Sequence, residues 1–298
     1  MRYIGSLYAT ALAAVSLHAQ TAGPQVNYNP APFIQSASAR PLGMGGSFTW
    51  QKGDAACIHF NPGGLAAEGF LDVSVNYEKG EAERSALTVD SVLKMGPGAL
   101  GVSVAFHDMG SLEMYDSFGT LRTVAAQSDK LIKLAYAVSL LGFLRAGAAL
   151  TFCNSVLLED YTANAFTMDI GAQADIAGFI VGAAVRNLGS DLDYAGLSEK
   201  VRVPDSYRAG VGYAGTNVSA GVDIIKNGDA DAQYAVGAEY AVLGFVPVRI
   251  GYQTAPAPGA DAAVTGGVGV RLSLFRADYA LSVASGSTGH KLSVGVSF

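Results

Sequence analysis

Charge is scarce in this sequence of 298 residues, and long hydrophobic runs are missing beyond the N-terminus. Only 15% of the residues are charged, whereas 50% are hydrophobic, and soluble domains typically carry about 25% charge. No later stretch approaches the roughly 18 consecutive apolar residues that a membrane-spanning helix needs. The composition therefore argues against a helical membrane protein, and its many hydrophobic residues argue against a disordered chain.

Cysteines, basic runs and catalytic motifs are equally sparse. The two cysteines, Cys57 and Cys153, are too few for a disulfide framework or a cysteine metal cluster. A net charge of −6 and the lack of any basic run argue against a nucleic-acid partner. The histidines show no metal-ligand spacing, and no serine-hydrolase elbow is present. We therefore expect no enzymatic activity, no metal and no cofactor.

The first 19 residues have the pattern of a cleavable signal peptide. Arg2 supplies a positive charge, residues 4–17 are mostly apolar and small, and Ala19 offers a small residue before a cut at Gln20. The stretch is too short to cross a bilayer as a helix. The sequence predicts that residues 1–19 are removed and that the protein is exported.

From residue 70 to the end, hydrophobic residues alternate with small or polar ones. The last segment, residues 292–298, reads Leu-Ser-Val-Gly-Val-Ser-Phe, so one face of a strand there is apolar and the other small and polar. The lengths of such segments cluster near the roughly 9–11 residues that a tilted strand needs to cross a bilayer. Turn signals separate fourteen strand candidates, near 70–78, 84–94, 98–107, 129–141, 143–155, 163–176, 178–187, 205–214, 217–226, 233–243, 246–254, 261–274, 275–285 and 289–298.

The connections between these candidates tend to alternate between short and long. Short ones fall near 95–97, 142, 177, 215–216, 244–245 and 274, and longer ones at 108–128, 188–204 and 255–260. Outer-membrane barrels have short periplasmic turns, longer extracellular loops and an even number of strands. A secreted sandwich or jelly roll is the alternative, but nothing in that fold requires short and long connections to alternate. We predict an all-β fold: a closed antiparallel transmembrane β-barrel of about 14 strands, over residues 70–298, in contact with the lipid of the bacterial outer membrane.

Residues 20–69 differ from the rest, because they contain five prolines and lack sustained alternation. Proline is excluded from the middle of a sheet, so this segment cannot be several spanning strands. No Gly-Lys-Ser/Thr follows its glycines, so a phosphate loop is excluded. We predict a hatch or plug for the barrel, formed around two turn motifs: Arg40, Pro41, Gly43, Met44, Gly45 and Gly46, and then Asn61, Pro62, Gly63 and Gly64.

In the alternating pattern of the strands, the charged residues occupy positions whose side chains point into the barrel. On the lipid face each would cost a few kcal/mol near the midplane. Two interpretations stay open: mutual pairs that hold wall and hatch together, which we prefer, or a charged selectivity filter. Cys57 and Cys153 either form a disulfide that links hatch to wall or remain two isolated buried thiols; we prefer the second interpretation. The candidate lumen-facing charges are Asp72, Lys133, Arg145, Asp169, Asp175, Arg186, Arg208, Asp223, Glu239, Arg249, Arg271, Arg276 and Asp278.

Several of these stretches together resemble a known family. Residues 39–48, 53–56 and 61–66 are similar to the N-terminal signature of the PorV/PorQ family, which belongs to the FadL-like outer-membrane barrels. Further similar stretches lie at 186–189, 204–210, 248–252, 278–281 and 289–293. One departure is Gly63, which stands where the family has alanine and should keep the turn but loosen it. The resemblance implies a fourteen-stranded barrel with an N-terminal hatch.

The resemblance also implies one of two functions. FadL relatives carry long-chain fatty acids and other hydrophobic compounds through the barrel wall, whereas PorV-type members bind outer-membrane partners and assist type IX protein secretion. The chain has few long loops for docking secretion-system proteins, so we favour a hydrophobic small-molecule ligand. Its carboxylate would pair with Arg145, Arg208 or Arg249. We expect an apolar pocket beneath the hatch and a strand kink that opens a lateral exit.

Overall fold

The computed structural model describes residues 28–35, 38–66, 71–80, 83–115, 118–197, 200–257, 260–285 and 287–298. The predicted signal peptide at residues 1–19 lies outside the described residues, as do residues 20–27 and 67–70 at the two ends of the predicted hatch. No helix among the described residues is long and apolar enough to cross a membrane.

Fourteen antiparallel strands close into a barrel, in which β1 pairs with both β2 and β16. The predicted fold class is confirmed. The strands are β1 (Leu71–Lys79), β2 (Ser85–Met95), β3 (Gly98–Asp108), β4 (Ser111–Tyr115), β5 (Leu121–Ala125), β6 (Gln127–Leu140), β7 (Leu144–Leu157), β8 (Tyr161–Ile176), β9 (Phe179–Gly189), β10 (Ser206–Ala214), β11 (Val218–Asn227), β12 (Gln233–Val242), β13 (Val246–Gln253), β14 (Ala263–Leu272), β15 (Phe275–Ala284) and β16 (Ser287–Ser297), of which all but β4 and β5 form the wall.

Most large apolar side chains of the wall strands point outward. In β12, Gln233 and Glu239 are buried, whereas Tyr234, Val236 and Tyr240 are about half exposed. Successive side chains of a strand point to opposite faces, so alternation in the sequence becomes an apolar outer surface and a polar or small inner one. A soluble barrel would show the reverse arrangement. The outer surface therefore has the chemistry of a lipid-facing wall.

The two ends of the barrel differ in their connections. At one end, the six turns between consecutive strands contain two or three residues each; we call this the short-turn end. The turn at Ala177 and Gly178 has positive φ at both residues, 50° and 86°, as a tight two-residue hairpin turn requires. The opposite end, called the long-loop end, carries the longer connections, including residues 190–205. Short turns at one end and the longer connections at the other are what the spacing of the turn signals predicts.

The predicted long connection at 108–128 contains a β-hairpin. Strands β4 and β5 pair with each other there and continue the ladder of β3 and β6, since Met109 N donates to Gln127 O at 3.0 Å and Ala126 N donates to Gly110 O at 2.8 Å. The resulting arm, residues 109–126, extends past the long-loop end. Its strands are only five residues long, which is too short for the alternation to identify.

Two parts of the N-terminal segment lie inside the barrel. Residues 28–35, called the strap, include the helical turn α1 (Ala31–Ile34). Residues 38–66, called the plug, contain the short helix α2 (Ala39–Gly43) and two 3₁₀ turns, Ala55–His59 and Pro62–Leu65. The plug carries three of the four largest fully buried side chains of the described residues, Trp50, Phe48 and Met44; the fourth, Tyr194, lies in the connection at 190–205. The core of the protein is thus the contact between the plug and the inner wall.

Candidate functional site

The first glycine motif of the plug lies directly on the backbone of the wall. Gly45 has a φ of +64°, which favours glycine, and it sits against the main chain of Tyr252 in β13. The facing wall residues, Gly237 and Gly251, leave room for the backbone of Met44 and Gly45, which a side chain at either position would overlap. Inward glycines in this part of the wall therefore serve close contact with the plug.

Trp50 shows the same arrangement on the neighbouring strands. Its indole covers Gly212 of β10 and Gly221 of β11, where any side chain would collide with the ring. The indole Nε1 donates to Ser47 Oγ at 3.1 Å, so the polar end of the ring is satisfied inside the plug. The plug therefore packs against the short-turn half of β10–β13 without intervening side chains.

The second motif closes the plug on the opposite wall. Asn61 Oδ1 accepts from Gly63 N at 3.0 Å and begins the 3₁₀ turn, while Asn61 Nδ2 donates to Thr49 O at 2.9 Å and to Ala172 O of β8 at 3.0 Å. A side chain at Gly63 would come within 3.1 Å of the Gly171 carbonyl oxygen. The glycine at this position thus lets the turn lie on β8.

Arg40 connects α2 to a buried cluster of charges on the wall. Its guanidinium contacts Asp54 Oδ2 at 2.9 Å and Glu239 Oε2 at 3.0 Å. Glu239 is also bound by Arg249 at 2.6 Å and by Arg271 at 2.8 Å. Burial opposes ionisation of Asp54, but the charges of Arg40 and Arg276 and the hydrogen bonds from Arg40 and from Ala56 N together outweigh it, so the pKa of this carboxyl lies below its usual value.

Further bonds between plug and wall involve two predicted lumen residues, Asp223 and Asp175, and one that was not predicted, Asp90. Asp223 accepts from the backbone N–H groups of Phe48 and Thr49 at 3.1 and 2.9 Å. Lys52 contacts Asp175 at 3.1 Å, and His59 Nε2 lies 2.8 Å from Asp90 Oδ1. The plug is therefore tied to several different strands of the wall.

The predicted lumen-facing charges all lie on the inner face, and most have a partner of opposite charge. Arg145 binds Asp175 at 2.6 Å, and Lys133 binds Asp169 at 2.7 Å. Among the remaining predicted residues, ion-pair contacts join Arg186 to Asp169 at 3.8 Å, Arg208 to Asp223 at 3.9 Å, Arg249 to Asp278 at 2.7 Å and Arg276 to Asp72 at 2.6 Å. This arrangement agrees with the interpretation as a mutually paired network.

Neither cysteine forms a disulfide. Cys57 and Cys153 are both free and buried, and they belong to different apolar clusters of the interior. Cys57 Sγ donates to Gln51 O at 3.3 Å, and burial raises the pKa of its thiol. Within the described residues, no group of three or more His, Cys, Asp or Glu side chains could hold a metal ion.

A cavity of about 460 Å³ fills the long-loop half of the barrel. Its floor is formed by the plug, through Leu42, Gly46 and Phe60, together with Arg208 of β10, and strap residues Pro30 and Ile34 form one side. This cavity lies between the plug and the long loops, whereas the predicted pocket lies beneath the hatch. At the short-turn end, a smaller cavity of about 70 Å³ borders the plug at Asp54, Ala55 and Leu65.

Arg208 is the buried cation at the floor of this cavity. Its guanidinium stacks over Phe60 at 4.7 Å and donates to Gly46 O at 2.9 Å. Asp223, at 3.9 Å, is beyond hydrogen-bond distance. Among the described residues, Arg208 Nε has no hydrogen-bond partner. Arg145 and Arg249 each contact a carboxylate at 2.7 Å or less, although each also has at least one guanidinium nitrogen atom without a hydrogen-bond partner among the described residues.

The wall has one irregular place among the strand pairs described. The register of β8 and β9 shifts between Met168 and Ile170, next to Asn187, which has a φ of +59°. Asp169 Oδ1 accepts from Asn187 N at 2.8 Å and holds this conformation. The Arg186-Asn187 part of a matched stretch thus lies at a break in regular pairing, which locally bends a strand.

Two features of the site were not predicted from the sequence. Phe60 and Leu42 line the cavity floor, and the strap contributes Pro30 and Ile34. The single tryptophan of the chain, Trp50, lies in a segment without alternation, which indicates that this segment folds into a core. No sequence feature indicated the contacts of the strap.

Comparisons with known proteins agree with the fold. Neither protein-family models nor curated proteins match the chain. Among solved structures, the toluene transporter TbuX of Ralstonia pickettii is similar at 14% identity, over 88% of this chain and 98% of that one, with a TM-score of 0.65. A FadL homologue of Pseudomonas aeruginosa is similar at 10% identity over 89% and 98%, with a TM-score of 0.65. The toluene transporter TodX of Pseudomonas putida follows at 13% over 88% and 98%, with a TM-score of 0.63.

The protein therefore has the fold of the FadL-type outer-membrane barrels. At these identities the likeness concerns the fold, and the PorV/PorQ resemblance remains a prediction.

Proposed function

We propose that the protein is an outer-membrane channel that takes up hydrophobic small molecules from the long-loop side. The cavity between the plug and the long loops supports this function, because it is large enough for a small ligand and has an apolar floor at Leu42 and Phe60. The similar structures include two toluene transporters, which supports a hydrophobic substrate. Residues 1–19 would direct export, and the apolar outer wall would contact the lipid.

The single observation that carries the choice of ligand is the position of Arg208, a buried cation that lines the cavity. A charge-assisted hydrogen bond from its guanidinium would stabilise an acceptor group on a bound ligand. Of the three arginines considered as carboxylate partners, Arg208 is the one that lines the cavity. We therefore propose a ligand with an apolar body and one acceptor group, of which a long-chain fatty acid is an example.

Release from the cavity requires a route past the plug. The plug occupies the short-turn half and is bonded to many strands, so straight passage would need these bonds to break. The register shift between β8 and β9 lies close to the strap, since Asn187 Nδ2 donates to Phe33 O at 3.2 Å. We propose a lateral exit at this irregular place in the wall.

Binding measurements on the detergent-solubilised protein test the role of Arg208. We expect wild-type protein to prefer a fatty acid over the hydrocarbon of the same length, and Arg208→Met to lose this preference while its affinity for the hydrocarbon is unchanged. Arg208→Lys should restore part of the preference, and Arg202→Met, at an exposed position outside the cavity, should behave as wild type. Equal losses for both ligands would mean that Arg208 only supports the plug.

A second candidate function is that of an accessory protein in type IX secretion. The observation in its favour is the arm, which carries exposed apolar side chains, with Tyr115 at 71% and Phe118 at 91% exposure. Replacing residues 111–125 by an Asn-Gly turn would remove this surface but keep β3 and β6 paired. Under this function the variant should lose co-purifying secretion proteins and leave cargo in the periplasm. Unchanged secretion with reduced ligand uptake after gene deletion would favour the channel.

A further inference from the structure

A second, smaller cavity lies behind the strap. Its volume is about 30 Å³, and roughly 10–15 Å³ suffices for one water-sized species, so it can hold one small occupant. It is bounded by Pro32 and Phe33 of the strap, by His59 of the plug and by residues of β2, β3, β6, β7 and β9. Gln35 and His107 line both cavities and stand between them.

The titratable side chains that line this cavity are all basic. They are Lys133, Arg186, His59 and His107, accompanied by the hydroxyls of Thr88, Ser103 and Thr151. The nearby carboxylates are bound from other sides and do not line it: Asp90 contacts His59, and Asp169 contacts Lys133 and is shared with Arg186. A space lined by cations and hydroxyls, without a carboxylate, favours an anion over a cation.

Two buried groups that line the cavity lack a hydrogen-bond partner among the described residues. Arg186 Nε lies 3.8 Å from Asp169, beyond hydrogen-bond distance, and Thr151 Oγ1 has no partner. Both side chains are at least 96% buried, with exposures of 4% and 3%. Both groups are donors, and a buried donor without a partner is destabilising.

We propose that this cavity binds a single halide-sized anion such as chloride. The anion accepts from Arg186 Nε and Thr151 Oγ1 and faces the charge of Lys133. It thereby joins the strap to the wall, because Arg186 also donates to Phe33 O at 3.0 Å.

Bromide and a matched pair of threonine variants test this proposal. Thr151 and Thr167 are cross-strand neighbours, both are buried with an unpartnered hydroxyl, but only Thr151 lines the cavity. In crystals grown with bromide, we expect an anomalous peak in this cavity in wild-type protein and in Thr167→Val. The peak should be lost or weakened in Thr151→Val.

Thermal unfolding supplies a second readout that needs no crystals. At equal ionic strength, sodium bromide or chloride should raise the Tm of wild type and Thr167→Val above the value in sodium gluconate. Thr151→Val should show a smaller difference. A water molecule without anomalous signal in the cavity, or a Tm that does not depend on the anion, would overturn the proposal.

Discussion

The two halves of the barrel interior differ in content, although the same strands enclose both. In the short-turn half, glycines such as Gly212, Gly237 and Gly251 bring the wall backbone against the plug. In the long-loop half, the inner wall carries side chains such as Ala86 and Ile225 that border open space. Small inward-facing residues thus have two roles here: glycine allows another backbone to contact the wall, and alanine leaves volume for the cavity.

The largest effect is expected from breaking the charge cluster of the plug half. Glu239→Gln leaves Arg40, Arg249 and Arg271 without their shared carboxylate, and breaking a buried ion pair costs about 3–5 kcal/mol. Thermal or denaturant unfolding in detergent measures the loss. Asp193→Asn, at an exposed pair with Lys200, is the control and should change stability by less than about 1 kcal/mol. Similar losses in both variants would contradict the buried-cluster account.

A smaller loss is expected from a single methyl group at the plug contact. Gly251→Ala places a Cβ against the backbone of Met44 and Gly45, and overpacking of this kind costs about 1–3 kcal/mol. Gly266→Ala, where the carbonyl oxygen of Arg249 lies 3.8 Å from the added atom, should be close to neutral. If both variants unfold at the same temperature, the plug does not lie as tightly on β13 as described.

The sequence predicts the wall much better than the interior. The alternation of apolar with small or polar residues, as in residues 292–298, depends only on which face of a strand meets lipid. It was therefore enough to locate all fourteen wall strands and to indicate which end of the barrel has the short turns. Which charges meet depends on the stagger between strands, so the choice of Arg208 over Arg145 and Arg249 needed coordinates. The placement of Trp50 on Gly212 and Gly221 likewise depends on where the plug crosses the wall.

The plug half also predicts a dependence on pH. Since the pKa of Asp54 is lowered in the folded protein from its reference value of 3.8, its contribution to stability is present above that value and declines as the pH falls through it. Asp54→Asn should therefore be less stable than wild type at pH 7, and the gap should narrow below about pH 4. Unfolding midpoints of both proteins across this range measure the effect. A gap that stays constant would contradict the pairing of Asp54 with Arg40.

The smallest effect on stability is expected in the cavity half, together with a large effect on function. Ala86 of β2 lines the cavity, so the ring of Ala86→Phe would extend into open space and should leave the Tm nearly unchanged. The same ring takes volume from the ligand, so the rise in Tm that a bound hydrophobic ligand produces in wild type should be lost. Leu87→Phe, on the outer face of the same strand, adds similar bulk to the lipid side and should keep the ligand effect. A strong loss of stability in Ala86→Phe would mean that the long-loop half is packed like the plug half, and the distinction between the two halves would fail.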